Sequence, residues 1–292
     1  MPVERQVPSD IEVLGDIAPM SRRGFLGVAA AAGLALAAGP VRADAIVTDS
    51  KGLTIGDAHI KVSDGEIPGY FARPADSKNP PVILVAIDIF GLNEYTKDVT
   101  RRLAKLGAFA VAPDYYFRED VDLPKISRLP LLMQLASDKT DAELVSDLDS
   151  TVTWAKSQGG DTSRLGILGF GRGGRSVWIY ASHCPDVKAG VSYYGSIVDP
   201  ENPAWPKSPL QLAAEMKAPV LGLYGEPDKG ISASQIDDME AALKSAGKIG
   251  EFKTYPGAPN GFHADFRPAY KKEAAEESWR ETQSWFKKYG VL

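Results

Sequence analysis

The chain has 292 residues, 24% charged and 44% hydrophobic, with a formal net charge of -5, one cysteine and three histidines. That length and apolar fraction support one large α/β domain or two small ones and argue against intrinsic disorder. Glycine is too scarce for a collagen-like repeat, a single cysteine forms no internal disulfide, and the mild acidity argues against a nucleic-acid partner, which would call for clustered Lys and Arg.

The chain opens on an address. Ser21-Arg22-Arg23-Gly24-Phe25-Leu26 leads into an uncharged Ala/Gly/Leu-rich run from Phe25 to Ala38, and Val41-Arg42-Ala43 supplies residues suited to a cleavage site. The pattern reads as a twin-arginine export signal, because the run is shorter than the roughly 20 residues needed to span hydrocarbon. Cleavage after Ala43 divides the chain into a signal, residues 1–43, and a mature domain, residues 44–292. The expected home is a bacterial periplasm, reached through the twin-arginine export machinery, with no stable membrane insertion once the signal is removed. Folding in the reducing cytosol before export suits a chain without disulfides.

Short β-rich runs then alternate with amphipathic stretches. Ala58–Val62 and Ile67–Ala72 bracket Asp64-Gly65, a two-residue hairpin signal. After a breaker stretch from Pro74 to Pro81, the run Val82–Ile87 is continuously apolar, as in a strand buried on both faces of a parallel sheet. Similar runs lie at Ala108–Ala112, Leu165–Leu168, Ala189–Tyr194 and Val220–Tyr224, with a further strand at Glu251–Thr254. Helical patterns fall at Glu94–Leu106, Asp141–Ser157, Arg175–His183, Ser234–Ser245 and Lys271–Lys288. The alternation predicts a single α/β domain with a mostly parallel sheet and helices on both faces. Residues 115–140 are long for a connection and read either as a lid beside the active site or as a surface excursion.

In such sheets, function gathers at the carboxyl ends of the strands. Gly169-Phe170-Gly171-Arg172-Gly173-Gly174 follows the Leu165–Leu168 strand and leads into a helix. It has the strand–turn–helix form of a nucleophile elbow, although the central residue, Gly171, has no side chain. Gly169, Gly171 and Gly174 also satisfy a dinucleotide-loop pattern, but the strand is late in the chain and the acidic partner expected some 20 residues on is only Asp186, in a turn. Asp228 follows the Val220–Leu223 strand, either as the acid that orients a histidine or as a helix cap. The loop Tyr255 to His263 follows the Glu251–Thr254 strand, where a general base belongs.

Val85–Asn93, Ala112-Pro113-Asp114-Tyr115-Tyr116, the Gly-Phe-x-x-Gly-Gly elbow, Val191–Gly195 and Tyr255-Pro256-Gly257-Ala258 together resemble the dienelactone hydrolase family. The tail from Gly261-Phe262-His263 to Trp285-Phe286 is similar to its exported, twin-arginine branch. The resemblance implies an α/β-hydrolase fold and hydrolysis of lactones and esters by Cys, Asp and His, with a Glu holding the resting thiol and no metal or other cofactor. Laid on this chain, it sets Gly171 at the Cys, Asn260 at the His and Asp88 at the Glu, and leaves Asp228 as the remaining triad member. It implies Arg118 as a grip for a substrate carboxylate, with Arg267 about three residues from the second such position. A glycine offers no nucleophile and an amide accepts no proton near neutral pH, so the family's acyl-enzyme route is closed as written.

Two readings follow. In one, Asp88, Asp228 or His263 activates water on a small carboxylate-bearing substrate held by Arg118, with the backbone amides of Ile89 and Arg172 as an oxyanion-type donor pair. In the other, a catalytically inactive relative binds a small anionic ligand in the same pocket. Cys184, at the far end of the helix after the elbow, reads as a packing residue.

Overall fold

The computed structural model describes residues 45–117, 123, 129–226, 228 and 230–292. The export signal expected in residues 1–43, and Arg118, lie outside the described residues. Eight strands form one sheet in the order β1-β2-β4-β3-β5-β6-β7-β8. They are β1 Leu53–Val62, β2 Gly65–Pro74, β3 Pro81–Ala86, β4 Phe109–Pro113, β5 Asp161–Phe170, β6 Val187–Tyr193, β7 Val220–Glu226 and β8 Gly250–Pro256. The expected hairpin is present, since β1 pairs antiparallel with β2 and Val62 faces Gly65 across the turn. Strand β2 then joins β4 antiparallel, and every pairing from β4 through β3 to β8 is parallel.

All six residues of β3 are buried. Successive side chains on a strand point to opposite faces, so continuous burial means that both faces are covered. The covering helices are α1 Glu94–Lys105, α2 Leu129–Asp138, α3 Asp141–Ser157, α4 Arg172–His183, α5 Ala233–Ser245 and α6 Lys272–Lys288. Asn93 caps α1 by accepting from the Thr96 amide, and Thr140 and Glu143 cap α3 reciprocally, satisfying amides that have no partner within the helix. Helix α2 falls in the stretch expected to be a connection, and Pro130 is tolerated because it sits in the first turn. Cys184 is buried at the end of α4, as a packing residue should be.

A charged clamp ties the start of the described chain to the body. Thr48 N–H donates to Asp98 and Ile46 N–H donates to Asp265, while Arg102 bonds both carboxylates. Both acids are almost fully buried, and the shared guanidinium together with the two amides satisfies them. Among the described residues, no helix is long and apolar enough to cross a membrane.

Candidate active site

The carboxyl ends of β3, β5, β6, β7 and β8 bring the candidate residues toward one rim of the sheet. Strand β5 ends at Phe170, and Gly171 turns the chain into α4 with φ 53° and ψ -115°. That conformation is costly for an L-residue and open to glycine. Gly171 N–H donates to Tyr193 O at 2.9 Å, and its own carbonyl accepts from Arg175 N–H at 3.1 Å, so both sides of the turn are fixed. Helix α4 approaches β3 so closely that a Cβ on Gly173 would lie 2.1 Å from the Ala86 carbonyl oxygen.

The space above Gly171 is taken by Asp88. A Cβ built on Gly171 would stand 2.9 Å from Asp88 Oδ1 and 3.0 Å from Oδ2. Oδ1 accepts from Ile89 N–H at 2.6 Å and from Arg172 N–H at 3.4 Å. The two amides expected to act as a donor pair therefore do converge on one point, and the carboxylate of Asp88 occupies it. Burial pushes the Asp88 carboxyl above its ordinary range, opposed by the Ile89 amide, the Arg267 charge and the amide and charge of Arg172.

Two arginines flank this carboxylate. Arg172 lays its guanidinium 3.3 Å from the centre of the Trp205 ring, a stacked cation–π contact. Arg267 lies 5.0 Å above the Phe90 ring. Its Nη1 rests 2.7 Å from where a Cβ on Gly261 would be, so Gly261, at φ 83°, admits the side chain beside Asn260. Asn260 Nδ2 donates to Asp228 Oδ2 at 2.9 Å, and Asp228 Oδ1 accepts from the Gly230 and Ile231 amides at 2.8 and 3.2 Å. Asp228 thus orients an amide that donates and accepts hydrogen bonds and takes up no proton.

His263 turns inward. It is 2% exposed and sits among the rings of Phe170, Tyr193 and Trp279. Its Nδ1 is 2.6 Å from the Tyr95 hydroxyl. Burial, helped by the Arg102 charge, drives its pKa well below the usual range and keeps the imidazole neutral. Asp88, Tyr95 and Tyr194 line a small cavity beneath the rim, together with Phe90, Phe170 and Phe266. Tyr194 has φ 40° and is the sole non-glycine with positive φ among the described residues, a strain that structures tolerate mostly at functional sites. The sequence reading missed Tyr95, Tyr194 and Trp205. Tyr194 carried a faint signal, since it directly follows β6 at the functional end of the sheet. Among the described residues, no three His, Cys, Asp or Glu side chains are grouped to hold a metal ion.

The profile of the dienelactone hydrolase family matches residues 67–290, which take in every site residue from Asp88 to Arg267. The chain belongs to the dienelactone hydrolase family. A Methylorubrum extorquens protein provisionally named a carboxymethylenebutenolidase is 46% identical over 286 residues, covering 97% of this chain and 98% of that protein. An Escherichia coli K12 protein of the same provisional name is 39% identical over 260 residues, or 88% of this chain and 96% of that protein. A Klebsiella pneumoniae crystal structure, described provisionally as a dienelactone hydrolase, superposes with a TM-score of 0.79 at 39% identity, over 81% of this chain and 99% of that one. As a member of this family, the protein is a hydrolase-family chain with the expected single-domain α/β-hydrolase architecture.

Proposed function

We propose that the protein hydrolyses a carboxylate-bearing lactone or ester by direct attack of water, with Asp88 as general base where the family resemblance expects a cysteine thiol to act. The observation that carries this reading is the position of the Asp88 carboxylate, 2.9–3.1 Å from where a side chain on Gly171 would begin. Its raised pKa supports the role, because a base accepts a proton best when its pKa lies near the working pH. Oδ1 stays anchored by the short Ile89 bond, and Oδ2 takes the proton. The longer Arg172 bond at 3.4 Å is the one a substrate carbonyl oxygen displaces, gaining an amide at the first turn of α4, where the helix dipole favours negative charge. Asn260 keeps one N–H on Asp228 and turns the other to the substrate. Arg267, with Arg118, grips the carboxylate. Relatives named as carboxymethylenebutenolidases support a substrate of this kind, a butenolide bearing a carboxylate.

Export by the twin-arginine route into the periplasm belongs to the same proposal, supported by Ser21 to Leu26 and the apolar run behind them. The mass of the exported chain, beginning at Asp44, checks it.

The mature protein assayed on a panel of carboxylate-bearing lactones and esters should turn over at least one, at a rate that falls as acid protonates Asp88. Asp88→Asn should remove about 10²-fold or more of that rate. No turnover above buffer, or an Asp88→Asn variant equal to wild type, refutes the hydrolytic reading. The second reading, a non-catalytic binder of small anions, is favoured by the absence of a side chain at Gly171. Ligand-dependent thermal stabilisation without turnover is the outcome that selects it.

A further inference from the structure

The cavity beneath Asp88 leaves about 10 Å³ open to the centre of a water molecule, which is room for one. Its polar lining includes Asp88, Tyr95 and Tyr194, and Tyr95 in turn meets His263, a residue 168 positions away in sequence. We propose that this cavity is the seat of the hydrolytic water, with Asp88 and Tyr95 as its two acceptors and His263 as the positioning residue that sets Tyr95. This rests on the reading of Asp88 as the base.

The direction of the Tyr95–His263 bond is part of the proposal. In it, Tyr95 is the donor and Nδ1 the acceptor of their 2.6 Å contact, the tautomer in which the imidazole carries its single proton on the other ring nitrogen. A neutral imidazole has the free lone pair this needs, and burial among Phe170, Tyr193 and Trp279 keeps the ring neutral, with Arg102 the cation that opposes its protonation. With its only proton committed to His263, the Tyr95 oxygen presents lone pairs to its other neighbours, the Tyr194 hydroxyl and the cavity that both tyrosines line. Donating to His263 also polarises the phenol and makes its oxygen a better acceptor. Asp88 Oδ1 is already engaged by Ile89 and Arg172, which leaves Oδ2 for the water.

A water held this way points one O–H at Asp88 Oδ2 and the other at Tyr95, leaving a lone pair for the substrate carbonyl carbon. As the C–O bond forms, Asp88 takes one proton and the carbonyl electron pair moves onto oxygen. When the tetrahedral species collapses, the bond to the leaving oxygen breaks and Asp88 returns its proton to that oxygen. The products are an acid and an alcohol, with Asp88 ionised again.

Three measurements test this. In the wild-type protein labelled with ¹⁵N-histidine, His263 Nδ1 should carry the shift of an unprotonated, hydrogen-bonded nitrogen. A crystal structure should hold one ordered water between Asp88 and Tyr95, which is lost or displaced in Tyr95→Phe. Tyr95→Phe should lower kcat about tenfold with KM nearly unchanged, the rate equivalent of one neutral hydrogen bond. His263→Gln, which keeps an acceptor, should lose less kcat than His263→Phe. A protonated Nδ1, a dry cavity, or a kcat untouched by Tyr95→Phe while Asp88→Asn abolishes turnover overturns the water site and spares Asp88 as base. Turnover that survives Asp88→Asn overturns the parent reading instead. The two spectroscopic and crystallographic readouts stand even where a variant folds poorly, because they are made on the wild-type protein.

Discussion

Gly171→Cys is the substitution that probes the packing of the site most directly. The residue sits at φ 53°, ψ -115°, and holding a side-chain-bearing residue there costs about 1–3 kcal/mol. The new Cβ would lie 2.9 Å from Asp88 Oδ1 and 3.1 Å from Cγ, so the carboxylate must turn away. Doing so gives up the 2.6 Å bond from Ile89 N–H, a charge-assisted hydrogen bond whose loss is worth about 1.5–3 kcal/mol. The two effects together amount to about 2.5–6 kcal/mol, or a fall in melting temperature of roughly 5–24 °C for a domain of this size. In an Asp88→Ala background only the backbone strain remains, so Gly171→Cys should then cost about 1–3 kcal/mol. Urea unfolding of the wild type, the two single variants and the double variant measures the difference, an expected coupling of about 1.5–3 kcal/mol. A coupling below about 0.5 kcal/mol would mean that Asp88 does not occupy the space above Gly171.

Two further outcomes are expected. Gly171→Cys combined with Asn260→His should generate ester hydrolysis sensitive to iodoacetamide, because the imidazole inherits the Asp228 partner that Asn260 holds at 2.9 Å; an inert double variant means that the scaffold no longer supports thiol chemistry. His263 has a folded pKa well below its ordinary 6.5, so the unfolded chain binds the extra proton as pH falls through 6.5 and stability declines with acid. The decline is at most about 1.4 kcal/mol per pH unit, and the stability difference between wild type and His263→Gln should shrink below pH 6.5. A difference that stays constant from pH 7.5 to 5 rules out a neutral buried His263.

What could be read from the chain followed local pattern. The Asp64-Gly65 turn, the apolar run of β3 and the periodicity of α3 each report their own structure, and α3 spans Asp141–Ser157 as the pattern indicates. The first half of β1 was missed because Leu53 to Asp57 is largely exposed and lacks a clean apolar alternation. Helix α2 was hidden by Pro130 and by a buried face that the charge pattern does not mark. The positions of Asp88, Gly171, Asp228 and Asn260 at strand ends follow from strand order, which sequence alternation already implies. Their contacts do not. The Asp88 carboxylate on the Ile89 and Arg172 amides joins residues 84 apart, and no periodicity reports it. Arg267, about three residues from the position the resemblance implies, is folded back against Gly261 by the turns from Pro259 to Lys271, a contact that no periodicity reports.

The engagement of Asp88 Oδ1 by two converging amides also bears on how the site empties. A free carboxylate that reaches for Ile89 and Arg172 must compete with one tethered a single peptide unit away, whose effective concentration no solute at ordinary levels matches. An acid formed at the rim therefore meets a point already claimed by the chain itself. On the proposed hydrolytic reading, Oδ1 keeps its Ile89 bond throughout and regains the Arg172 amide as the acid forms, so the protein would carry its own competitor against rebinding.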